Sequence, residues 1–278
     1  MIIALALSSA IVFGAGDFCG GAASRRGGAT GVLVLSLPAG LVLLLAVALA
    51  LGDGSSGGAL TWGVASGLAG GGALLVFYRA LAQGPMSVVA PVSGLMAAVV
   101  PAVVGVAQGD RLSPMAITGI VLCLVAICFV SIEPSDEQRT RAGLRGPLLA
   151  LLAGAGFGAF FVLIQQGDDG TLWPLVASKA VGVVIVVIAA LATRSRPPVH
   201  DRVTAGIALL AGSLDVLGNA LYVLASRAGM LSIAGVLSSL YPASTVVLAR
   251  LVYGERLRPI QRVGLVVAVA GVGLVTSG

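Results

Sequence analysis

Residues 84–119 read GPMSVVAPVSGLMAAVVPAVVGVAQGDRLSPMAITG, and residues 229–264 read GMLSIAGVLSSLYPASTVVLARLVYGERLRPIQRVG. Laid over one another at an offset of 145, the two stretches carry the same residue types in the same order without a gap at the nine positions that follow, among others. Gly84, Ser87, Ser93, Leu95, Gly109, Arg111, Leu112, Pro114 and Gly119 return as Gly229, Ser232, Ser238, Leu240, Gly254, Arg256, Leu257, Pro259 and Gly264. The unit is an apolar run, a loop of the form Gly-Asp/Glu-Arg-Leu-x-Pro, and the start of a second apolar run. An ungapped match over two runs and their loop marks an internal duplication, which decides architecture before any local pattern does. The match reaches further: Gly67 meets Gly212 at the same offset, and Phe13-Gly14-Ala15 meets Phe157-Gly158-Ala159 at an offset of 144.

The solvent for this chain is lipid. Of its 278 residues 58% are apolar and 10% charged, whereas soluble domains carry about 25% charged residues. Apolar runs of ~20 residues are long enough to cross ~30 Å of hydrocarbon as helices. The formal net charge of +5 is not a nucleic-acid signature, because the arginines sit singly or in pairs between apolar runs, with no basic stripe and no interleaved aromatics. Cys19, Cys123 and Cys128 fall inside apolar runs with no metal spacing. They read as small packing residues, with no metal site and no cofactor expected. Residues 1–24 have the length of a signal peptide. No Lys or Arg precedes the apolar stretch, however, and Asp17 interrupts it, so the stretch reads as a span.

Ten spans are expected, at roughly 2–24, 29–51, 60–82, 86–108, 114–132, 145–166, 171–193, 203–226, 230–252 and 259–277. Short joins carry turn chemistry, as in Gly52-Asp53-Gly54-Ser55, Gly167-Asp168-Asp169-Gly170 and Pro197-Pro198. The longest polar piece begins at Glu133. The expected organisation is therefore a five-span repeat over 1–132, a polar loop over 133–144 and a second five-span repeat over 145–278. An odd number of spans per repeat makes the second copy enter the membrane from the opposite side. The fold class is thus an all-α integral membrane protein of ten transmembrane helices in two inverted five-helix repeats. The charges agree. Odd-numbered loops and their flanks hold Arg25, Arg26, Arg139, Arg141, Arg145, Arg194, Arg196, Arg202, Arg256 and Arg258, while even loops hold only Arg111 and Arg227 beside Asp53, Asp110, Asp168 and Asp169. The positive-inside rule puts the odd loops in the cytoplasm and both termini outside. Inverted helical repeats are a common plan for secondary transporters, with the site near the midplane where the repeats meet and access alternating by rocking.

Two five-span repeats, each with a Gly-Asp/Glu-Arg-Leu-x-Pro loop and a final Gly-rich span, resemble the drug/metabolite transporter superfamily, specifically its EamA-type ten-span members. The resemblance covers essentially the whole chain and is strongest over 232–273. It implies a basket in which spans 1–4 and 6–9 surround a central cavity, with spans 5 and 10 at the periphery. It also implies export or import of small organic solutes across the cell (inner or plasma) membrane. Members are usually drawn with both termini in the cytoplasm, the reverse of the arginine count here.

Ionisable groups at membrane depth cost ~2.5–3.5 kcal/mol on insertion scales and mark functional sites. Asp17 lies eight residues before Arg25, hence ~12 Å from that end of the span. Gly14, Gly20 and Gly21 share its face and leave room for a close neighbour or for water. Its placement resembles the first-span acid of the small multidrug proteins of the same superfamily, which trades protons for substrate; here the acid is Asp, not Glu. A carboxylate in a low-dielectric cavity holds a proton until a solute displaces it. The plainer reading is a hydrogen-bonded structural Asp, or one paired with Lys179. Lys179 is the only lysine beside fifteen arginines. It is placed to pair with Asp17 or Asp215, or to meet an anionic group of a solute. Asp215, Asn219 and Tyr222 stand at i, i+4 and i+7 on one face of span 8, either as a cavity wall or as interhelical hydrogen bonding.

Span 4 carries Ser93 between Pro91 and Pro101, and span 9 carries Ser238, Ser239, Tyr241 and Pro242. Mid-span prolines free a carbonyl and bend or break a helix, and in transporters such breaks face the site. The alternative is that bent spans improve packing. Gly16 and Gly20, Gly63, Gly67 and Gly71, and Gly154 and Gly158 read as small-residue packing seams. The loops at Asp110-Arg111 and Glu255-Arg256 are candidates for charge latches at the membrane edges, and His200 reads as solvated surface.

The function expected is proton-coupled efflux of small organic solutes by alternating access. The alternative is an uncoupled or uptake facilitator for a sugar or amino-acid-like solute. A primary pump lacks its nucleotide motif, and an intramembrane enzyme lacks a His-Glu-x-x-His site, a Ser-His arrangement or any histidine cluster. The partners expected are a small-molecule solute, protons and the lipid bilayer, with homo-oligomerisation left open.

Overall fold

The computed structural model describes residues 1–52, 54, 56–83, 86–130, 145–167, 171–194, 201–253 and 258–277. Among them are eleven helices: α1 (Ile2–Gly27), α2 (Ala29–Leu51), α3 (Gly57–Gln83), α4 (Met86–Ala107), α5 (Pro114–Val130), α6 (Arg145–Gln166), α7 (Trp173–Thr193), α8 (Arg202–Arg227), α9 (Leu231–Ser238), α10 (Tyr241–Tyr253) and α11 (Pro259–Ser277). The described residues form no strand. The polar linker, Asp168-Asp169, His200 and Glu255-Arg256 lie outside the described residues.

Local chemistry sets the ends. Gly28 turns the chain from α1 into α2 at φ 74, and Gly52 closes α2 in the left-handed region at φ 72, where a side chain would be strained. Asp201 begins α8 by accepting a hydrogen bond from the Val203 amide at 3.1 Å, a side-chain cap for an otherwise unpaired donor.

Six helices (α1, α2, α3, α6, α7 and α8) contain apolar stretches long enough to cross a membrane, and α4, α5 and α11 supply shorter apolar stretches. Their outward faces carry Val42, Leu68, Val103, Leu152, Ile188 and Val266, with Leu191 and Val269 each 74% exposed. An apolar surface that continuous is untenable in water and natural against acyl chains. The protein is a multi-pass helical membrane protein.

The interior is built from close helix pairs. α1 packs on α8, α2 on α7 and α8, α3 on α6 and α7, α4 on α6 and α9, α9 and α10 on α1, and α5 on α11. Small residues allow these approaches. An added Cβ at Gly67 would lie 2.6 Å from the Ser178 carbonyl oxygen of α7. Its counterpart Gly212 on α8 abuts the Ser36 carbonyl of α2. Gly119 and Gly271 bring α5 and α11 together. In lipid there is little hydrophobic gain between helices, so such contact is the main adhesive.

The single expected span over 230–252 is two helices. α9 ends at Ser238, and α10 begins at Tyr241, one residue before Pro242. Proline at 242 has no amide hydrogen to donate to the Ser238 carbonyl, which removes one rung of the ladder there. In contrast, α4 runs unbroken through Pro91 and Pro101, so neither of these interrupts the helix as expected from the sequence. All eight residues of α9 are buried.

Candidate functional site

The face of α1 that turns inward is defined by its contacts. Gly16 sits on α8, where an added Cβ would be 3.4 Å from Leu214 Cβ and 3.6 Å from the Asp215 amide nitrogen. Gly14 sits on α10, 2.7 Å by the same measure from the Tyr241 carbonyl oxygen. Phe13 points across the bundle, with its ring edge-on to Phe161 of α6 at 6.3 Å and to Tyr241 of α10 at 6.4 Å. Asp17 is one turn on from Phe13 and so shares that inward face. Its side chain is nevertheless exposed, and it lies within electrostatic reach of Asp215 and Tyr241.

Lys179 of α7 forms an ion pair with the Asp215 carboxylate of α8. The sequence allowed Asp17 or Asp215 as its partner; the partner here is Asp215. Asn219, one turn further along α8, donates to the Asp215 carbonyl oxygen at 2.7 Å and to its carboxylate Oδ1 at 3.1 Å. The pair is half-sheltered, with Lys179 12% and Asp215 37% exposed at the side chain. Asp17 has no hydrogen bond or ion pair among the described residues. The local set is therefore two carboxylates and one ammonium, with the ammonium already engaged.

The other singled-out residues are placed differently. Tyr222 is fully buried; its hydroxyl donates to the Phe161 carbonyl at 3.1 Å, tying α8 to α6. Ser93 is buried on the seam where Gly154 of α6 meets α4. Ser238 is buried, its hydroxyl donating to the Ala6 carbonyl of α1 at 3.4 Å. Tyr241 is half-buried beside Phe13 at the head of α10. The Ser239 hydroxyl, at the α9–α10 break, is buried with no partner among the described residues. Pro101 is packed against Gly235 of α9, 2.6 Å from where a Cβ would be.

Sequence reasoning missed two features. One is the ring cluster of Phe13, Phe161, Tyr222 and Tyr241 beneath Asp17; Phe13 belongs to the repeated Phe-Gly-Ala motif, which was the available signal. The other is the contact of Asp110 with Ser232, whose Asp110 carboxylate Oδ2 accepts from the Ser232 amide at 2.9 Å and hydroxyl at 2.6 Å. Both residues lie in the duplicated stretch, but nothing in the chain announces that they touch.

Residues 144–277 match the model of the EamA-like transporter family. That part of the chain is EamA-like. This EamA-like protein is accordingly a membrane transporter of small solutes. A solved structure described as "Crystal structure of protein" is similar to it along 97% of this chain and 96% of the other, with a TM-score of 0.74 and 17% sequence identity. At that identity the likeness concerns the fold alone. No curated protein matches the EamA-like chain.

Proposed function

We propose that this transporter is a proton-coupled exporter of small organic solutes, working by alternating access in the cell (inner or plasma) membrane. In this reading α9 and α10 are one broken span, giving ten spans in two inverted five-span repeats over 1–132 and 145–278. The helix pairing supports the duplication. Exchanging the five helices of the first half with their counterparts in the second turns the α1–α8 contact into α6–α3. It likewise turns α2–α8 into α7–α3 and α4–α6 into α9/α10–α1, and returns α5–α11 to itself. A pair of units related by a two-fold axis in the membrane plane has that property, and it is the plan on which two access states of equal shape are built.

The observation that carries the proposal is the solvent-exposed, unpaired carboxylate of Asp17 on the inward face of α1, beside an ion pair that already uses the one deep lysine. A lone acid at membrane depth is neutralised most simply by a proton or by a positively charged group of a solute. If the two compete, binding solute from the inside releases the proton inward, and rebinding a proton from outside expels the solute. Lys179, Asp215 and Asn219 form the adjoining wall and keep its charge balanced, while Ser93, Ser238, Tyr222 and Tyr241 support the surrounding helices. The test is an untargeted comparison of medium and cell extracts from cells overexpressing the wild type or Asp17→Asn. The expected result is a solute enriched in the medium with the wild type, lost with Asp17→Asn and lost when an ionophore collapses the proton gradient. Equal enrichment by the two proteins would remove Asp17 from the mechanism, and enrichment that survives the ionophore would remove the coupling.

A further inference from the structure

We infer that Asp110 is a positioning residue of the transport cycle. Its carboxylate caps the buried half-helix α9 from the opposite half of the molecule, and so latches the face of the bundle that carries the even-numbered loops. The inference rests on the alternating-access reading above.

α9 has no local cap. Its N-cap is Met230, which offers no side-chain hydrogen bond. Asp110, 122 positions earlier in the loop between α4 and α5, supplies the missing acceptor to the amide and hydroxyl of Ser232. Hydrogen bonds to a charged acceptor are among the stronger ones, and an anion at a helix N-terminus gains further from the aligned peptide dipoles. The approach depends on Gly105, since a Cβ there would lie 2.6 Å from the Ser232 amide nitrogen. One turn deeper on each helix, Pro101 packs on Gly235 and extends the same α4–α9 seam. Nearby, Gly229 packs on Ile2, and the Arg227 guanidinium donates to the Thr171 carbonyl at 3.1 Å. The even-loop face is thus held across the two halves by the Asp110–Ser232 bonds and by Gly229 on Ile2, and within the second half by the Arg227–Thr171 bond.

The opposite face differs. There Asp17 is exposed, and a Cβ on Gly21, one turn further towards that end of α1, would meet nothing within 4 Å. The even-loop face is covered around the first turn of α9, whereas the other leaves Asp17 and the flank of Gly21 uncovered. Opening the covered face requires α4 and α9 to part, and parting them leaves the first turn of α9 without its acceptor. Asp110 therefore weights the balance between the two access states without touching solute.

The test uses two cysteine reporters in a full-length protein whose Cys19, Cys123 and Cys128 are replaced by Ala. Ala6→Cys lies buried on the covered side, where the Ala6 carbonyl accepts from Ser238. Gly21→Cys lies on the uncovered side. The probe is a membrane-impermeant maleimide applied to vesicles of either orientation, at pH 6 and pH 8. In the background protein, with each labelling rate divided by that of the same thiol in denatured protein at the same pH, pH should move the two ratios in opposite directions; ratios that never change oppositely would overturn alternating access and the latch with it. Given that response, Asp110→Ala should raise Ala6→Cys labelling about tenfold or more and lower that of Gly21→Cys. Asp110→Glu, the acid found at the matching position of the second repeat, should restore the background rates. An unchanged Ala6→Cys rate, or a rise at both reporters that signals general loosening, would overturn the latch while leaving alternating access standing.

Discussion

Consider Gly67→Ala on α3, set against Gly72→Ala on the same helix. At Gly67 the new methyl would lie 2.6 Å from the Ser178 carbonyl oxygen, about 0.8 Å inside the 3.4 Å at which ordinary contact begins. Val181 Cβ at 2.8 Å and Ser178 Cα at 2.9 Å crowd it as well, so the obstacle includes backbone that cannot rotate away. α3 and α7 must separate by most of an ångström, and a gap of 0.5–1 Å forfeits roughly a quarter to a half of each dispersion contact along the seam. Overpacking of this kind costs about 1–3 kcal/mol. At Gly72 a methyl meets nothing within 4 Å, and only the gain in helix propensity remains, about 0.8–1 kcal/mol. That gain is common to both variants and cancels in their difference, leaving about 1–3 kcal/mol against Gly67→Ala. For a chain of this size it corresponds to a gap in thermal midpoint of roughly 3–10 °C. The assay is thermal unfolding of the detergent-solubilised proteins by tryptophan fluorescence, since Trp62 and Trp173 lie beside the seam that Gly63 and Pro174 share. Equal midpoints for the two variants would refute close backbone packing of α3 on α7, and with it the small-residue account of how the halves adhere.

Further outcomes follow from the charged groups and the termini. Lys179→Met should lower stability by about 1–3 kcal/mol, less than the ~3–5 kcal/mol of a fully buried pair, because Asp215 is 37% exposed and keeps its bond from Asn219; the double swap Lys179→Asp/Asp215→Lys should recover part of the loss, and additive losses would deny the pairing. The Thr204 hydroxyl, with smaller help from the Thr204 and Val203 amides and from Arg26, holds the Asp201 carboxyl below the usual carboxylate range. Its contribution is therefore complete above the unfolded value near 3.9 and lost as pH falls through the lower folded value, so Asp201→Ala should lower the thermal midpoint at pH 7 and converge on the wild type in strong acid. A midpoint deficit independent of pH would exclude the carboxylate cap. Reporter fusions after Ser135 and at Gly278 should report cytoplasmic and external locations respectively; a cytoplasmic Gly278 would overturn the orientation read from the arginines.

The candidate site was legible in part. Asp17, Lys179 and Asp215 stood out because ionisable groups are rare in apolar spans, and rarity needs only a list of residues. Which acid receives Lys179 was not legible, since both are at comparable depth and only the packing of α7 and α8 on the same helix, α2, brings one of them within reach. Tyr222 shares a helical face with Asp215 in the sequence, yet it ends in a fully buried tie to the Phe161 carbonyl. Helical phase says which residues share a face, not whether that face meets a neighbour or a cavity. The prolines behaved unequally for a related reason. Pro101 is seated against Gly235 within an unbroken helix, whereas the chain at Pro242 gives way beside the buried Ser239.

The sequence alone determined that the protein lives in lipid, that it is helical, and that residues of Gly84–Gly119 recur in the same order in Gly229–Gly264. These follow from composition, from run length against bilayer thickness and from an offset along the chain, all of which are properties of order and not of shape. The tertiary structure alone decided that Lys179 meets Asp215 and that Asp110 crosses 122 positions to cap α9. It also decided that Asp17 is exposed while sharing the inward face of α1 with Phe13. Those outcomes depend on how closely two backbones approach and how far each helix is rotated about its axis. A side chain's partner is set by distances of a few ångströms between segments that the chain itself separates by dozens of residues.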